Sequence, residues 1–127
     1  MTICFQPLAW DAERQVYTSL PAGAPPDDDA VDVNNANGAE LLRTLGLAPE
    51  PDGILAIDAF ARLVTAALRR HLGRRSPEIA PAIDASPGRI TTITGGRREG
   101  YLEERLGDLA RLVQRGRVVG ATHIGWA

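Results

Sequence analysis

Lysine is absent from this chain: all 14 basic residues are arginine. A GC-rich coding sequence accounts for that bias, because alanine, glycine and proline are plentiful too. Arginine is also the better side chain for bidentate capture of carboxylate or phosphate. Cysteine is nearly absent. Cys4 stands alone, so no intrachain disulfide can form, and a reducing cytoplasm is the expected compartment. Aromatic residues make up only 5% of the chain, and none stands within the arginine cluster at residues 69–75. The stacking platform that single-stranded nucleic acid uses is therefore missing. The net charge of −2 likewise argues against nucleic acid as a partner. No apolar run approaches the ~20 residues that cross a bilayer. The first residues lack the basic region and apolar core of a signal peptide. A cytoplasmic protein without a membrane segment is expected.

Chemistry-bearing residues are also few. His71 and His123 are the only histidines. With one cysteine they do not make a dedicated zinc site. No local motif marks an activated nucleophile. The sequence assigns no catalytic residue, no metal ligand and no cofactor.

What is present is ordinary globular material: 44% apolar and 24% charged over 127 residues. That length predicts a single globular domain spanning residues 1–127. Such a chain can bury a core without a covalent staple.

Period-two spacing predicts two short strands at the front. Thr2 to Gln6 aligns Ile3 and Phe5, and Gln15 to Leu20 aligns Val16, Thr18 and Leu20. The polar stretch from Trp10 to Arg14 turns between them. Residues 21–29 hold three prolines and the acids Asp27, Asp28 and Asp29, the composition of a solvated loop. A short strand follows at Val31–Val33.

A first helix is expected from about Asn35 or Asn37, with Asn37 and Glu40 in capping-box spacing. Gly46, Leu47 and Pro49 end it. A second is capped by Asp58, carries Phe60, Leu63, Val64, Ala67, Leu68 and Leu72 on its apolar side, and stops at Gly73. Residues 76–88 contain three prolines and are expected to be a connecting loop. A strand over 89–94, a glycine turn, a third helix from Tyr101 to Arg115 and a strand over 121–126 complete the chain. The third helix has the cleanest stripe: Leu102, Leu106, Leu109 and Val113.

These elements predict an α+β fold, a small mostly antiparallel sheet with about three helices packed on one face. A parallel βαβ unit from Ile90 through the third helix to Ile124 is the alternative.

Two groups of residues are candidates for binding. In the turn Gly95-Gly96-Arg97-Arg98, glycines allow close backbone approach, a helix start adds positive potential, and arginines form charge-assisted bonds. An anionic small molecule is its expected ligand. The motif lacks the Gly-Lys-Ser/Thr ending of a P-loop and the spacing of a dinucleotide fingerprint. Asp27, Asp28 and Asp29, set against Arg69 and Arg70, form separated acidic and basic patches that could steer a protein partner. Calcium is not expected in the acidic stretch, because Val33 occupies the place where an EF-hand needs an acid. Trp10 or Trp126 would anchor such an interface.

The leading expectation is a small non-catalytic protein-binding domain of adaptor, inhibitor or immunity type, the small stand-alone form common in bacteria. A domain or enzyme acting on an anionic or phosphorylated small molecule through Gly95–Arg98 is the alternative. An unpaired terminal strand would be compatible with a homodimer.

Overall fold

The computed structural model describes residues 2–19, 30–80, 82–84, 92–94 and 96–127. Its elements run β1 (Thr2–Asp11), β2 (Val16–Ser19), β3 (Val31–Asn34), α1 (Asn35–Thr44), β4 (Gly53–Ala56), α2 (Ile57–Arg70), β5 (Ala82–Asp84), β6 (Thr92–Thr94), α3 (Tyr101–Val118) and β7 (His123–Trp126). The fold is α+β. Five strands form one antiparallel sheet, and three helices pack against it. Among the described residues no helix is long and apolar enough to cross a membrane.

β1 is the axis of the sheet. One edge pairs with β3 over Thr2–Phe5 and with β2 over Leu8–Asp11. Its other edge pairs with β7, which in turn pairs with β4. Pro7 sits mid-strand without breaking the ladder. Cys4 and Ala127 exchange both main-chain hydrogen bonds, so the even residues of β1 bond to β7 and position 7 faces the other edge. There the partners of β1 change from β3 to β2, and a missing N–H costs no bond.

Several expectations are corrected. β1 extends through Trp10 and Asp11, and residues 12–15 make the turn. β2 is largely exposed because it sits at the sheet margin. The β4 strand went unforeseen: four residues between a proline-rich turn and a helix give too short a pattern. The 76–88 stretch includes β5, which pairs with β6 in a separate two-stranded sheet. The βαβ alternative fails, since β6 pairs with β5 and not β7, and every pairing among the described strands is antiparallel. The terminal strands β1 and β7 are interior, so neither supplies a free edge.

Helix ends are fixed by residues near those expected. Asn34 caps α1, accepting from Asn37 N at 2.9 Å. Asn37 is the third helical residue and is buried. At the other end Gly46 N donates to Arg43 O and Leu47 N to Leu42 O, both at 2.9 Å. With Gly46 at φ 81°, this is the expected left-handed stop. Asp58 lies in the first turn of α2, with Ala56 at the cap position. Since α2 ends at Arg70, Leu72 falls outside it and is 84% exposed.

The core lies between the sheet and the helices. Ile3 and Phe5 from β1, Ile124 and Trp126 from β7, Phe60 and Val64 from α2, and the α3 stripe Leu102, Leu106, Leu109 and Val113 are all buried. Trp126 sits 6.0 Å from Phe5 and 6.3 Å from Phe60, ring centre to ring centre. Its indole covers the Cα of Gly53. A Cβ there would come within 2.3 Å of Trp126 Cζ2, inside any tolerated contact.

Gly53→Ala should therefore destabilise the fold by about 1–3 kcal/mol. The check is the midpoint of urea unfolding, which should fall with an unchanged slope.

Candidate functional site

The N-terminus of α3 is where the arginine turn, His71 and an acid come closest. Gly100 precedes the helix with φ 75° and provides no side-chain cap. The cap comes from a remote segment. Leu102 N donates to Ser76 Oγ at 3.3 Å. Ser76 N donates to Glu103 Oε1 at 2.5 Å, and Ser76 Oγ donates to Glu103 Oε2 at 2.7 Å. Gly100 N donates to Ser76 O at 2.9 Å. These are the reciprocal contacts of a capping box, with the serine supplied from 27 residues away in sequence. Ser76 is 7% exposed.

His71 Nδ1 lies 3.4 Å from the same Glu103 Oε1. Burial works to raise the Glu103 carboxyl. Hydrogen bonds from Ser76 Oγ, its own backbone, His71 and Ser76 N outweigh that and leave it below its ordinary value of 4.5. The order of contacts decides the chemistry. A hydrolytic triad needs imidazole between hydroxyl and carboxylate. Here the carboxylate lies between, and the serine proton goes to it. This geometry ties chain segments together and does not activate a nucleophile.

The arginines of the turn have separate partners. Arg97 Nη1 donates to Asn37 Oδ1, and Asn37 Nδ2 donates to Gly96 O, each at 3.4 Å. Arg98 Nη2 donates to Glu104 Oε2 at 2.5 Å. Arg98 holds the Glu104 carboxyl below its ordinary range, and Glu104 raises Arg98 in return. Gly95 lies outside the described residues. The expected two-arginine clamp is thus divided, one arginine toward α1 and the other along α3.

The partner-binding candidates are dispersed as well. Asp27, Asp28 and Asp29 lie outside the described residues. Arg70 Nη2 donates to Thr44 O at 2.7 Å, satisfying a carbonyl at the end of α1. Arg69 lines a groove of about 540 Å³ with Asp58, Arg62 and Arg117. Trp126 is buried and unavailable as an anchor, whereas Trp10 is 45% exposed. Among the described residues no group of three His, Cys, Asp or Glu could hold a metal. His71, His123 and Cys4 stand on separate elements, after α2, in β7 and in β1.

The most continuous feature is the outer face of the sheet. All three helices lie on the side of Phe5 and Ile124. Strand alternation puts Leu8, Trp10, Tyr17, Ile54 and His123 on the opposite side. Trp10 and Tyr17 are cross-strand partners whose rings meet edge to face at 4.9 Å. Tyr17 meets the His123 ring at 4.7 Å, and its hydroxyl lies 3.5 Å from His123 Nε2. Trp10, Tyr17 and Ile54 are 40–45% exposed. Sequence reasoning singled out Trp10 but missed Tyr17, Ile54 and His123. The even-numbered alternation Leu8, Trp10 carried the signal once β1 was read as one long strand.

No family model, curated protein or solved structure matches this chain.

The Ser76–Glu103 contacts generate a signed pH dependence. A depressed folded-state pKa means the carboxylate stabilises the fold above 4.5. That contribution is lost as the pH falls through the lowered value. Glu103→Gln should cost about 1–3 kcal/mol at neutral pH. The difference from the parent should shrink steadily below pH 4.5, as read by urea unfolding across a pH series.

Proposed function

We propose that this chain is a non-catalytic protein-docking domain, of adaptor, inhibitor or immunity type, working in the cytoplasm. Its partner seats on the outer face of the five-stranded sheet. The observation that carries this reading is the aromatic row Trp10–Tyr17–His123 on a face that no described helix covers. Contiguous exposed apolar surface of this kind marks interaction sites. Tryptophan and tyrosine are the side chains that most often dominate binding energy.

The chemistry of the face describes the partner. Leu8, Trp10, Tyr17 and Ile54 offer flat apolar area, while the Tyr17 hydroxyl and the His123 ring offer hydrogen bonding at its centre. A complementary protein surface would be mainly apolar with a few polar groups facing that pair. The lone cysteine, which can form no intrachain disulfide, fits a reducing compartment and supports the cytoplasmic reading.

The anion-binding alternative draws less support. A clamp needs both guanidinium groups turned toward one point, and Arg97 and Arg98 are engaged with Asn37 and Glu104. The serine, histidine and glutamate near them are arranged as a helix cap.

The test is capture of a stoichiometric partner from native cells by the tagged chain, followed by calorimetry. Trp10→Ala combined with Tyr17→Ala should weaken binding by at least ~30-fold, about 2 kcal/mol, at unchanged secondary structure. Arg97→Ala combined with Arg98→Ala should change the affinity far less. Equal capture by parent and aromatic variant would overturn this assignment of the face.

A further inference from the structure

We infer that the valley between α2 and α3 is a second docking site. Its occupant is an acidic amphipathic helix of another protein, with two carboxylates seven residues apart and an apolar side chain between them. The valley lies in the helix layer, on the side of the molecule away from Trp10 and Tyr17. This inference therefore stands apart from the docking proposal above.

The shape comes first. The two helices run antiparallel. Arg117 near the end of α3 pairs with Asp58 in the first turn of α2 at 2.8 Å, while His71, just past α2, meets Glu103 near the start of α3. Between these ends the residues that face the valley are small. Ala61 of α2 and Ala110 of α3 line it above the buried Val64 and Val113. They leave a notch of about 140 Å³. An apolar cavity of ~150 Å³ takes a benzene ring, so the notch has room for one leucine-sized side chain.

The charge is arranged around that notch. It opens into the groove of about 540 Å³ that Arg62, Thr65 and Arg69 line from α2. The one carboxylate of that groove, Asp58, is engaged by Arg117. Arg62 and Arg69 are exposed and form no ion pair among the described residues. The groove thus presents two uncompensated guanidinium groups, the side chain suited to carboxylate. They stand seven residues apart on α2, about 10 Å along its axis. Val64 and Thr65, which both line the notch, fall between them. A helix laid in the valley offers matching positions on one face: acids at i and i+7, an apolar anchor at i+3 or i+4.

The same features disfavour other occupants. No aromatic residue lines the groove or the notch, so a nucleic acid finds no stacking platform. The apolar surface is recessed, whereas a membrane takes apolar side chains that project into it. A second copy does not fit, because α1, α2 and α3 carry no two acids seven residues apart.

The test is NMR titration of the full chain with an end-capped alanine–glutamine helical peptide carrying glutamates seven positions apart and a leucine between them. Saturable shifts should appear at the side-chain N–H groups of Arg62 and Arg69 and at the amides of Ala61 and Ala110. The dissociation constant should rise with salt. Arg62→Ala combined with Arg69→Ala should raise it at least ~10-fold at unchanged secondary structure. Replacing the peptide leucine by alanine should raise it at least ~5-fold. Trp10→Ala combined with Tyr17→Ala should leave it unchanged, which separates this site from the outer sheet face.

Should the arginine variant lose its fold, the peptide decides instead: glutamine in place of both glutamates should cost the same ~10-fold. A peptide that gives no saturable shift up to its solubility limit would overturn the proposal. So would a folded arginine variant or a glutamine peptide that binds like the parent, a leucine-free peptide that binds equally, or shifts confined to another surface. Preference for an oligonucleotide or for anionic vesicles over the peptide would overturn it as well.

Discussion

The packing of Trp126 against the bare Cα of Gly53 is the contact on which the rest of this fold depends. It joins the last strand to β4 and also wedges the indole between Phe5 of β1 and Phe60 of α2. One side chain thus fixes the spacing of three strands and the seat of a helix. The wedge requires a residue without Cβ on the neighbouring strand. It also seats α2 on the sheet through Phe60.

A second constraint governs α3. Its stripe of buried leucines would pack wherever the helix started. The start itself is set by Ser76, which terminates the helix from outside, and by Glu103, which reaches back to hold the serine. His71 joins the same carboxylate. Polar residues that could have formed a reaction centre are bound to one another in an order suited to capping. Arg70 does similar work for the last turn of α1 through Thr44 O. Arginine in this chain therefore satisfies orphan carbonyls and carboxylates as much as it decorates the surface.

The helices were legible in sequence because a helix is a local pattern. The spacing of Leu102, Leu106, Leu109 and Val113 needs no knowledge of the partner surface. The left-handed stop at Gly46 was equally local. Strands were legible only where alternation ran long enough. Gly53–Ala56 offers four residues, and its role appears only when Trp126, far away in sequence, lies across it. Pro7 hid the length of β1, because a proline inside a strand reads as a break until both neighbouring strands are known. The Asn37 contact with Arg97 and the Ser76 cap connect residues 60 and 26 positions apart, and no spacing rule reaches that far. The Gly95–Arg98 turn looked like a ligand cradle because its local composition suits one. Asn37 and Glu104, which occupy its two arginines, become visible only in three dimensions.

Ile79 and Arg97 exchange two main-chain hydrogen bonds of 2.8 Å. Between these two residues the described strands β5 and β6 form a two-stranded sheet of their own, apart from the main sheet. A segment clasped at its ends in this way is a cassette. It can lengthen, shorten or change its residues over evolutionary time while the clasp keeps the surrounding architecture in register. Variation among descendants of this chain would then concentrate there, on a platform that stays the same.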